Sequence, residues 1–206
     1  MSLTLPKVSY QEFLQSRRSV RRFLSRSIEP EILERILETA TRAPSAHNRQ
    51  PWRFLVLTSE RSKITLAEEM GADFRRDLLN DGVDPKTTEK LVSKSRNRIL
   101  EAPVVIVLCL DTSQGDSYPD PTRQQAEFIM GVQGVALAGG TILLAAHAEG
   151  IGGVWVCAPL FAQKTVQRAF RLPKDWQPQG MLLLGYPAEI PEPRERKPLE
   201  EVTFYF

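Results

Sequence analysis

The chain has 206 residues, with 27 Lys and Arg against 25 Asp and Glu, so its formal net charge is +2. Hydrophobic residues make up 42% of the chain and charged residues 25%, values that exclude a disordered or collagen-like protein. The near-neutral balance gives no overall electrostatic signal for nucleic-acid binding, and this length predicts one domain over residues 1–206.

The cysteines and the first residues predict a cytoplasmic compartment. Cys109 and Cys157 both lie in apolar runs, so we expect buried, reduced thiols instead of a disulfide. The opening MSLTLPKVSYQEF lacks the long apolar core of a signal peptide.

The first part of the chain predicts two helices separated by a basic segment. Ser9 with Glu12 three positions later is a capping-box pattern, which predicts a helix over 9–16. The following SRRSVRRFLSRS has no helical stripe, so we expect it to be extended or irregular. Pro30 suits the first turn of a second helix with one apolar face.

The middle of the chain predicts strands on either side of a helical region. The turn-rich APSAHNRQPW leads into an apolar run at Phe54–Leu57, a predicted strand. Residues 60–100 have a helical pattern that breaks at NDGVDP. The continuous β-branched run Val104–Leu110 is typical of a strand buried on both faces.

The second half predicts a long helix that ends near Glu149, and then a strand over VWVC. A helix near 163–171, a strand at Met181–Leu184 and an extended surface arm from about Pro187 complete the prediction. Because helices and strands are interspersed around what we expect to be a single sheet, the fold class is α/β-like or α+β.

An uncharged segment within the long helix allows two interpretations. Residues Phe128–Ala146 are apolar and long enough to span a bilayer. They also contain four glycines and Gln133, without a clear excess of Lys or Arg at either flank. We favour a buried helix at a core or subunit interface over a membrane span, because small residues let another backbone approach closely.

The densest chemical signal is the group of arginines that follows the first helix. Guanidinium groups in an extended segment can bind a phosphate through paired hydrogen bonds, and a serine hydroxyl adds a donor. The alternative is a solvated basic segment. A second basic cluster near the carboxyl end could converge with the first on one phosphate. The two clusters are Arg17, Arg18, Ser19, Arg21, Arg22 and Arg26, and Arg194, Arg196 and Lys197.

The segment from Pro44 to Trp52 is the second signal. It combines backbone amides, a hydroxyl and side-chain amides on a turn that two prolines make rigid, which suits recognition of a flat heterocycle. The alternative is a helix-to-strand connection in which the asparagine stabilises the turn and the tryptophan fills the core.

The sequence lacks the motifs of several other kinds of binding and catalytic site. GIGG at 150–153 follows a helix and is not a dinucleotide fingerprint; a helix C-cap at Gly150 is the simpler interpretation. The chain has two histidines and neither C-x-x-C nor H-E-x-x-H, which argues against a zinc site. It has no P-loop and no G-x-S-x-G motif, and Cys157 lacks a basic neighbour in sequence.

Four motifs in this order resemble the FMN-dependent nitroreductase family: RRSVRRF, APSAHNRQPWRFLVL, GIGGVWV and LLLGYP. The match covers nearly the whole chain. The second half, AEGIGGVWVCAPLF with DWQPQGMLLLGYP, is particularly similar to the carboxyl-terminal reductase domain of the FbiB protein of deazaflavin-coenzyme biosynthesis. The ligase domain that precedes it in FbiB has no counterpart in this sequence.

The resemblance implies an α+β, nitroreductase-like fold with a central, mostly antiparallel sheet surrounded by helices. It also implies a homodimer with FMN at the interface. Carried over by position, the contacts to the phosphate and the adjoining ring edge would be Arg17, Arg18, Ser19 and Arg21, with Arg194 and Arg196 as a second basic pair at the phosphate. The isoalloxazine contacts would be Pro44, Ser45, His47 and Asn48, and the backbone of Val156, Cys157 and Ala158 against the ring face near N5. Ser95 and Arg98 would be further polar contacts to the flavin.

The implied reaction is hydride transfer from NAD(P)H through flavin N5 to an organic acceptor, with ping-pong kinetics and no catalytic side chain. A general quinone or nitroaromatic reductase and a reductase of a deazaflavin-coenzyme precursor are both compatible with it. A different class, a non-catalytic protein whose arginines bind an anionic partner such as RNA, stays open as the third alternative.

Overall fold

The computed structural model describes residues 9–206, so residues 1–8, for which we expect no signal peptide, lie outside the described residues. The helices are α1 (Tyr10–Ser16), α2 (Pro30–Ala40), α3 (Glu60–Asn80), α4 (Pro85–Leu100), α5 (Pro121–Ala148), α6 (Ala158–Phe161), α7 (Gln163–Ala169) and α8 (Leu199–Val202). The strands are β1 (Trp52–Leu57), β2 (Val104–Asp111), β3 (Gly152–Val156) and β4 (Trp176–Gly185).

The strands form one four-stranded sheet in the order β1-β2-β4-β3, and every neighbouring pair is antiparallel. The register places Val105 of β2 opposite Leu183 of β4, which in turn lies opposite Val154 of β3. Every residue of β2 is buried, as its continuous β-branched run predicts. The predicted antiparallel α+β architecture is therefore confirmed.

Helices cover both faces of the sheet. On one face, Ile36 of α2 and Ile142 of α5 pack with Ile106 of β2. On the other, α3, α4 and α7 contribute Leu66, Ile99 and Val166, which pack with the alternate residues of β2 and β4. The side chains of a strand alternate between faces, so β2 and β4 supply both cores.

Helix α5 lies very close to the sheet because glycines face it. A Cβ on Gly139 would lie 2.5 Å from Leu108 Cδ1 and closer still to the Trp155 ring. The helix ends in a Schellman motif, in which Gly150 N donates to His147 O at 3.1 Å and Ile151 N donates to Ala146 O at 2.8 Å. Gly150 has φ +72°, so the predicted C-cap glycine is confirmed.

The opposite side of α5 is open in the isolated chain. Ile129 is 46% exposed and Leu137 is 49% exposed. By length and composition alone, α5 would also be able to cross a membrane. However, Val135, Ala138 and Ile142 are fully buried against the sheet, which favours a core helix with one uncovered apolar face.

Several details differ from the sequence-based expectations. Strand β4 begins at Trp176, earlier than the predicted Met181, and the short helix α6 was not predicted. The carboxyl-terminal arm contains the short helix α8. The expectation that Cys157 is buried is wrong, because Cys157 follows the last paired residue of β3 and its side chain is exposed. Cys109, inside β2, is buried as expected, and burial raises the pKa of its thiol to about 12.

We predict opposite effects of two glycine-to-alanine substitutions on stability. Gly139→Ala should lower the free energy of unfolding by about 1–3 kcal/mol, because the new methyl group overpacks the helix–sheet interface. Gly71→Ala in α3 should raise it by about 0.5–1 kcal/mol, since its Cβ would meet Val92 at an ordinary 3.5 Å. Urea denaturation of both variants measures the difference, and a tolerated alanine at 139 would contradict the close approach.

Candidate functional site

The basic segment, residues 17–21, is fixed against the edge strand of the sheet. Ser19 pairs with Gly153 in a parallel bridge, and Val20 N donates to Gly153 O at 3.1 Å. The Val20 side chain is buried against Gly152, where a Cβ would come within 2.8 Å of it. The segment, which the sequence predicts to be extended or irregular, is therefore extended here and anchored beside β3.

The guanidinium groups of this segment carry unbalanced charge. Within residues 9–206, Arg17, Arg18 and Arg21 form no ion pair with a carboxylate. Arg18 donates to Gln15 O at 2.5 Å and Arg21 donates to Ser19 O at 3.1 Å, so both bond only to backbone carbonyls. Cations gathered without counter-charges make this segment a candidate anion site.

Arg26 differs from these arginines because it already has a partner. It forms an ion pair with Glu29 at 2.6 Å, and its guanidinium lies 3.9 Å from the centroid of the Tyr186 ring. Hydrogen bonds from the Tyr186 hydroxyl and then from Arg26 lower the pKa of Glu29 to about 2. Arg26 is therefore engaged in an internal contact instead of being free to bind a ligand.

A cavity of about 550 Å³ lies between α3, α4 and the end of β3; we call it the α3–α4 cavity. Ser95 and Arg98 of α4 line it together with Val156 and Ala158. These four residues come from two distant parts of the chain, and all four were predicted as site residues. Cys157, between Val156 and Ala158, is exposed, and its Sγ accepts a hydrogen bond from Trp155 Nε1 at 3.2 Å.

The sequence reasoning missed other side chains that line this cavity. They are the apolar Met70, Phe74, Leu78, Leu91, Phe161 and Ala162 and the charged Asp73, Asp77, Asp81 and Lys94. The signal was available: Asp73, Asp77 and Asp81 recur every fourth residue, as do Lys94 and Arg98, and this spacing places each set on one helix face. Asp73 also accepts a hydrogen bond from Thr165, the main cause that lowers its pKa.

The predicted ring contacts at Pro44–Asn48 lie in a strained loop. His47 has φ +52° and Asn48 has φ +53°, both in the left-handed region that side chains other than glycine rarely adopt. Ser45 Oγ accepts a hydrogen bond from Gln50 N at 2.9 Å, and Gly134 of α5 leaves room for the Ser45 side chain. His47 and Asn48 are exposed. The loop therefore presents polar groups outward from a fixed base.

In one chain, this loop is separate from the other predicted contacts. None of residues 44–48 lines the α3–α4 cavity. Ser45 packs near Gly134, whereas Ser16, next to the basic segment, contacts His147. These two points on α5 are ~20 Å apart at 1.5 Å per residue. The structure therefore brings together Ser95, Arg98, Val156 and Ala158, but it does not bring Pro44–Asn48 to the basic segment.

The inner side of the loop is held by a polar network that the sequence did not reveal. Arg49 bonds to Gln114 O at 3.2 Å and to the Asp116 carboxylate, and Asp116 N donates to the buried Glu127 at 3.1 Å. These groups line a second cavity, of about 580 Å³. They connect the strained loop to the first turns of α5.

The second basic pair is not gathered at the site either. Arg194 and Arg196 are exposed in the carboxyl-terminal arm, where the hydrogen bond of Arg196 goes to its neighbour Glu195. The arm itself begins beside the basic segment, since Phe23 bridges Pro187 and Ala188 N donates to Arg22 O at 3.0 Å. Its first residues are fixed, but Arg194 and Arg196 form no hydrogen bond with residues 17–21.

Comparisons with known proteins agree with this architecture. The model of the Nitroreductase family matches residues 14–186. A Methanothermobacter thermautotrophicus protein, provisionally named NADH dehydrogenase/NAD(P)H nitroreductase, is 29% identical over 92% of this chain and 83% of its own length. The iodotyrosine deiodinase of Haliscomenobacter hydrossis is 31% identical over 87% of this chain and 80% of its own length.

A solved structure shows the same fold. A protein of Desulfovibrio desulfuricans, provisionally described as a nitroreductase in complex with FMN, aligns with a TM-score of 0.75 at 23% identity over 98% of both chains. The family model covers all the predicted site residues except those in the carboxyl-terminal arm. The chain therefore belongs to the Nitroreductase family.

Proposed function

We propose that the chain is an FMN-dependent oxidoreductase that transfers hydride from NAD(P)H to an organic acceptor. The observation that carries this proposal is the position of β3. Its first residues contact the basic segment at Gly153, and Val156, ~10 Å further along the strand, lines the α3–α4 cavity. A ligand with a terminal phosphate and a flat ring, joined by a flexible chain, fits this arrangement.

The basic segment suits the phosphate end. A terminal phosphate carries about −1.5 to −2 charges at neutral pH and needs several donors. Arg17, Arg18 and Arg21 are free of carboxylate partners in the described chain, and Ser19 adds a hydroxyl. In this proposal, Arg194 and Arg196 join them when the arm folds over the site.

The α3–α4 cavity suits the ring. Ser95 and Arg98 offer donors on one wall, and the backbone of Val156, Cys157 and Ala158 lies at the end of β3. When bound, FMN supplies the hydride chemistry, so no side chain has to act as acid, base or nucleophile. Lys94 and Arg98 would offer positive charge to a reduced ring, facing the carboxylates of Asp73, Asp77 and Asp81 across the cavity, and the apolar side chains would limit the water around the ring.

We also propose a homodimer, because within one chain the loop at Pro44–Asn48 lies far from the basic segment and outside the α3–α4 cavity. The exposed face of α5 is apolar, and Gly140 on this helix has open space where a Cβ would be. A second copy packed on this face would cover it and bring its own loop of Pro44, Ser45, His47 and Asn48 to the flavin. Large exposed apolar surfaces typically mark such interfaces.

The names of the relatives support NAD(P)H as the electron donor more clearly than they support any one electron acceptor. One carries the name NAD(P)H nitroreductase and another the name iodotyrosine deiodinase, so we name the acceptor only as an organic molecule. The likeness of the second half to the FbiB reductase domain supports a deazaflavin-coenzyme precursor as the alternative. Family membership favours an enzyme over an RNA-binding protein.

Measured turnover rates with nitroaromatics, quinones and an oxidised deazaflavin precursor show which class of acceptor the protein reduces. A cytoplasmic location stays a prediction.

The cofactor itself tests the proposal. We expect the purified protein to be yellow and to release FMN, not FAD, on denaturation, because the two basic clusters suit one terminal phosphate and the chain has no pyrophosphate-binding fingerprint. Chromatography and mass spectrometry of the released flavin give the answer. Recovery of FAD, or failure to bind any flavin after reconstitution, would overturn the assignment.

Arginine variants should separate a phosphate site from a diffuse basic patch. Arg17→Ala and Arg21→Ala should each raise the Kd for FMN by at least about tenfold, since a hydrogen bond to a charged group contributes about 1.5–3 kcal/mol. Arg26→Ala is the matched control, because Arg26 is already paired with Glu29. Fluorescence titration measures each Kd, and equal losses at all three positions would show a diffuse patch.

The dimer can be tested at two leucines of similar exposure. Leu137→Glu places a charge on the exposed face of α5 and should shift sedimentation from dimer to monomer. Leu79→Glu, on α3, is the control, because Leu79 is 44% exposed and Leu137 is 49% exposed. A parent protein that sediments as a stable monomer with flavin bound would contradict the proposed interface.

Cys157→Ser should keep the reductase activity. Loss of a true nucleophile reduces kcat by about 10⁶-fold, whereas the role proposed for Cys157 belongs to its backbone. Among the described residues, the hydrogen bond to its Sγ comes from Trp155, which is not a base. Rapid mixing with NAD(P)H follows the reduction of bound flavin in both proteins. A variant that holds FMN normally yet shows no reduction would place the cysteine in the chemistry.

A further inference from the structure

His147 connects the last turn of α5 to the short helix that precedes the basic segment. Its Nε2 lies 2.8 Å from Ser16 Oγ, and its ring stacks on Phe13 with centroids 4.9 Å apart. Ser16 Oγ also donates to Phe13 O at 2.8 Å. Because the Ser16 hydroxyl already donates its proton to Phe13 O, the Ser16 oxygen accepts the hydrogen bond from the N–H at Nε2 of His147.

These two contacts attach α1 to the end of α5. None of the seven residues of α1 is buried, and Tyr10 and Leu14 are each more than half exposed. The other hydrogen bonds of its side chains stay within residues 9–18. Such a short helix is marginal without tertiary contacts, so its position depends on the residue against which it packs.

The basic segment is thus held at both ends. At its carboxyl side, Val20 is buried against Gly152 and bonded to Gly153. At its amino side, Arg17 directly follows Ser16, the residue that His147 holds. Arg17 and Arg18 lie between these two attachments, and Arg18 also donates back to Gln15 O of α1. A shift of α1 would therefore move both guanidinium groups.

We propose that His147 is a positioning residue for the phosphate-binding arginines: by holding Phe13 and Ser16, it fixes Arg17 and Arg18 where an anion is bound. This role rests on the proposed FMN function. A neutral His147 adds no positive charge of its own to the site. Burial, together with the positive charges of Arg17 and Arg18, lowers the pKa of His147 against the opposite effect of the Phe13 backbone, and so favours the neutral ring.

The test compares two flavins that differ only in the phosphate. In the full-length protein, His147→Ala should raise the Kd for FMN by about tenfold, the effect of losing one charge-assisted phosphate contact, and leave the Kd for riboflavin unchanged. His147→Gln keeps an N–H donor for Ser16 and should restore most of the preference for FMN. Glu149→Gln is the matched control, since it alters the same end of α5 but touches Arg35 instead of α1.

The outcomes separate positioning from a general structural role. If His147→Ala weakens FMN and riboflavin equally, or weakens neither, the proposal is wrong. If the parent protein binds no flavin, the proposed function has failed instead. Should His147→Ala not fold, as judged by circular dichroism, Ser16→Ala removes the same hydrogen bond with the core intact. Its loss of FMN preference then supports the proposal, and an unchanged preference refutes it.

Discussion

The close packing of α5 on the sheet is the constraint on which the candidate site depends. Gly139 lets the helix approach Leu108 and Trp155 more closely than any side chain would allow. Because the helix is held there, the parts it touches are held as well. Its end carries α1 through His147, its middle supports the strained loop at Gly134, and its first turns anchor Arg49 through Glu127. This helix, buried on the side that faces the sheet, therefore sets the positions of α1 and of the strained loop with its polar network.

Charge pairing then decides which polar groups remain available for a ligand. Arg26 forms an ion pair with Glu29 and lies over the Tyr186 ring. In the described chain, Arg18 and Arg21 donate hydrogen bonds only to backbone carbonyls, and the Arg17 guanidinium forms no ion pair. Unpaired cations held beside an ordered strand repel one another, and binding an anion relieves that repulsion. A site of this kind gives up some stability without its ligand and regains it on binding.

Much of the fold was predictable because its signals are local. The capping pattern at Ser9, the apolar run of β2 and the glycine after α5 each act within a few residues, and the structure has all three features. The exposure of Cys157 was not predictable, since it depends on where β3 stops pairing with β4. The α3–α4 cavity likewise depends on how two helices pack, although the fourfold spacing of Asp73, Asp77 and Asp81 indicated a shared face.

The division of the candidate site has a thermodynamic consequence. In the proposed site, residues near β3 would bind one part of the ligand, while the loop at Pro44–Asn48 lies ~20 Å away along α5 from the start of the basic segment. If a second copy supplies that loop, flavin binding and dimerisation stabilise each other by the same free energy, because linkage is reciprocal. Flavin affinity then rises with protein concentration until the dimer is complete, and added flavin lowers the concentration at which the dimer forms. A site completed within one chain would show neither dependence.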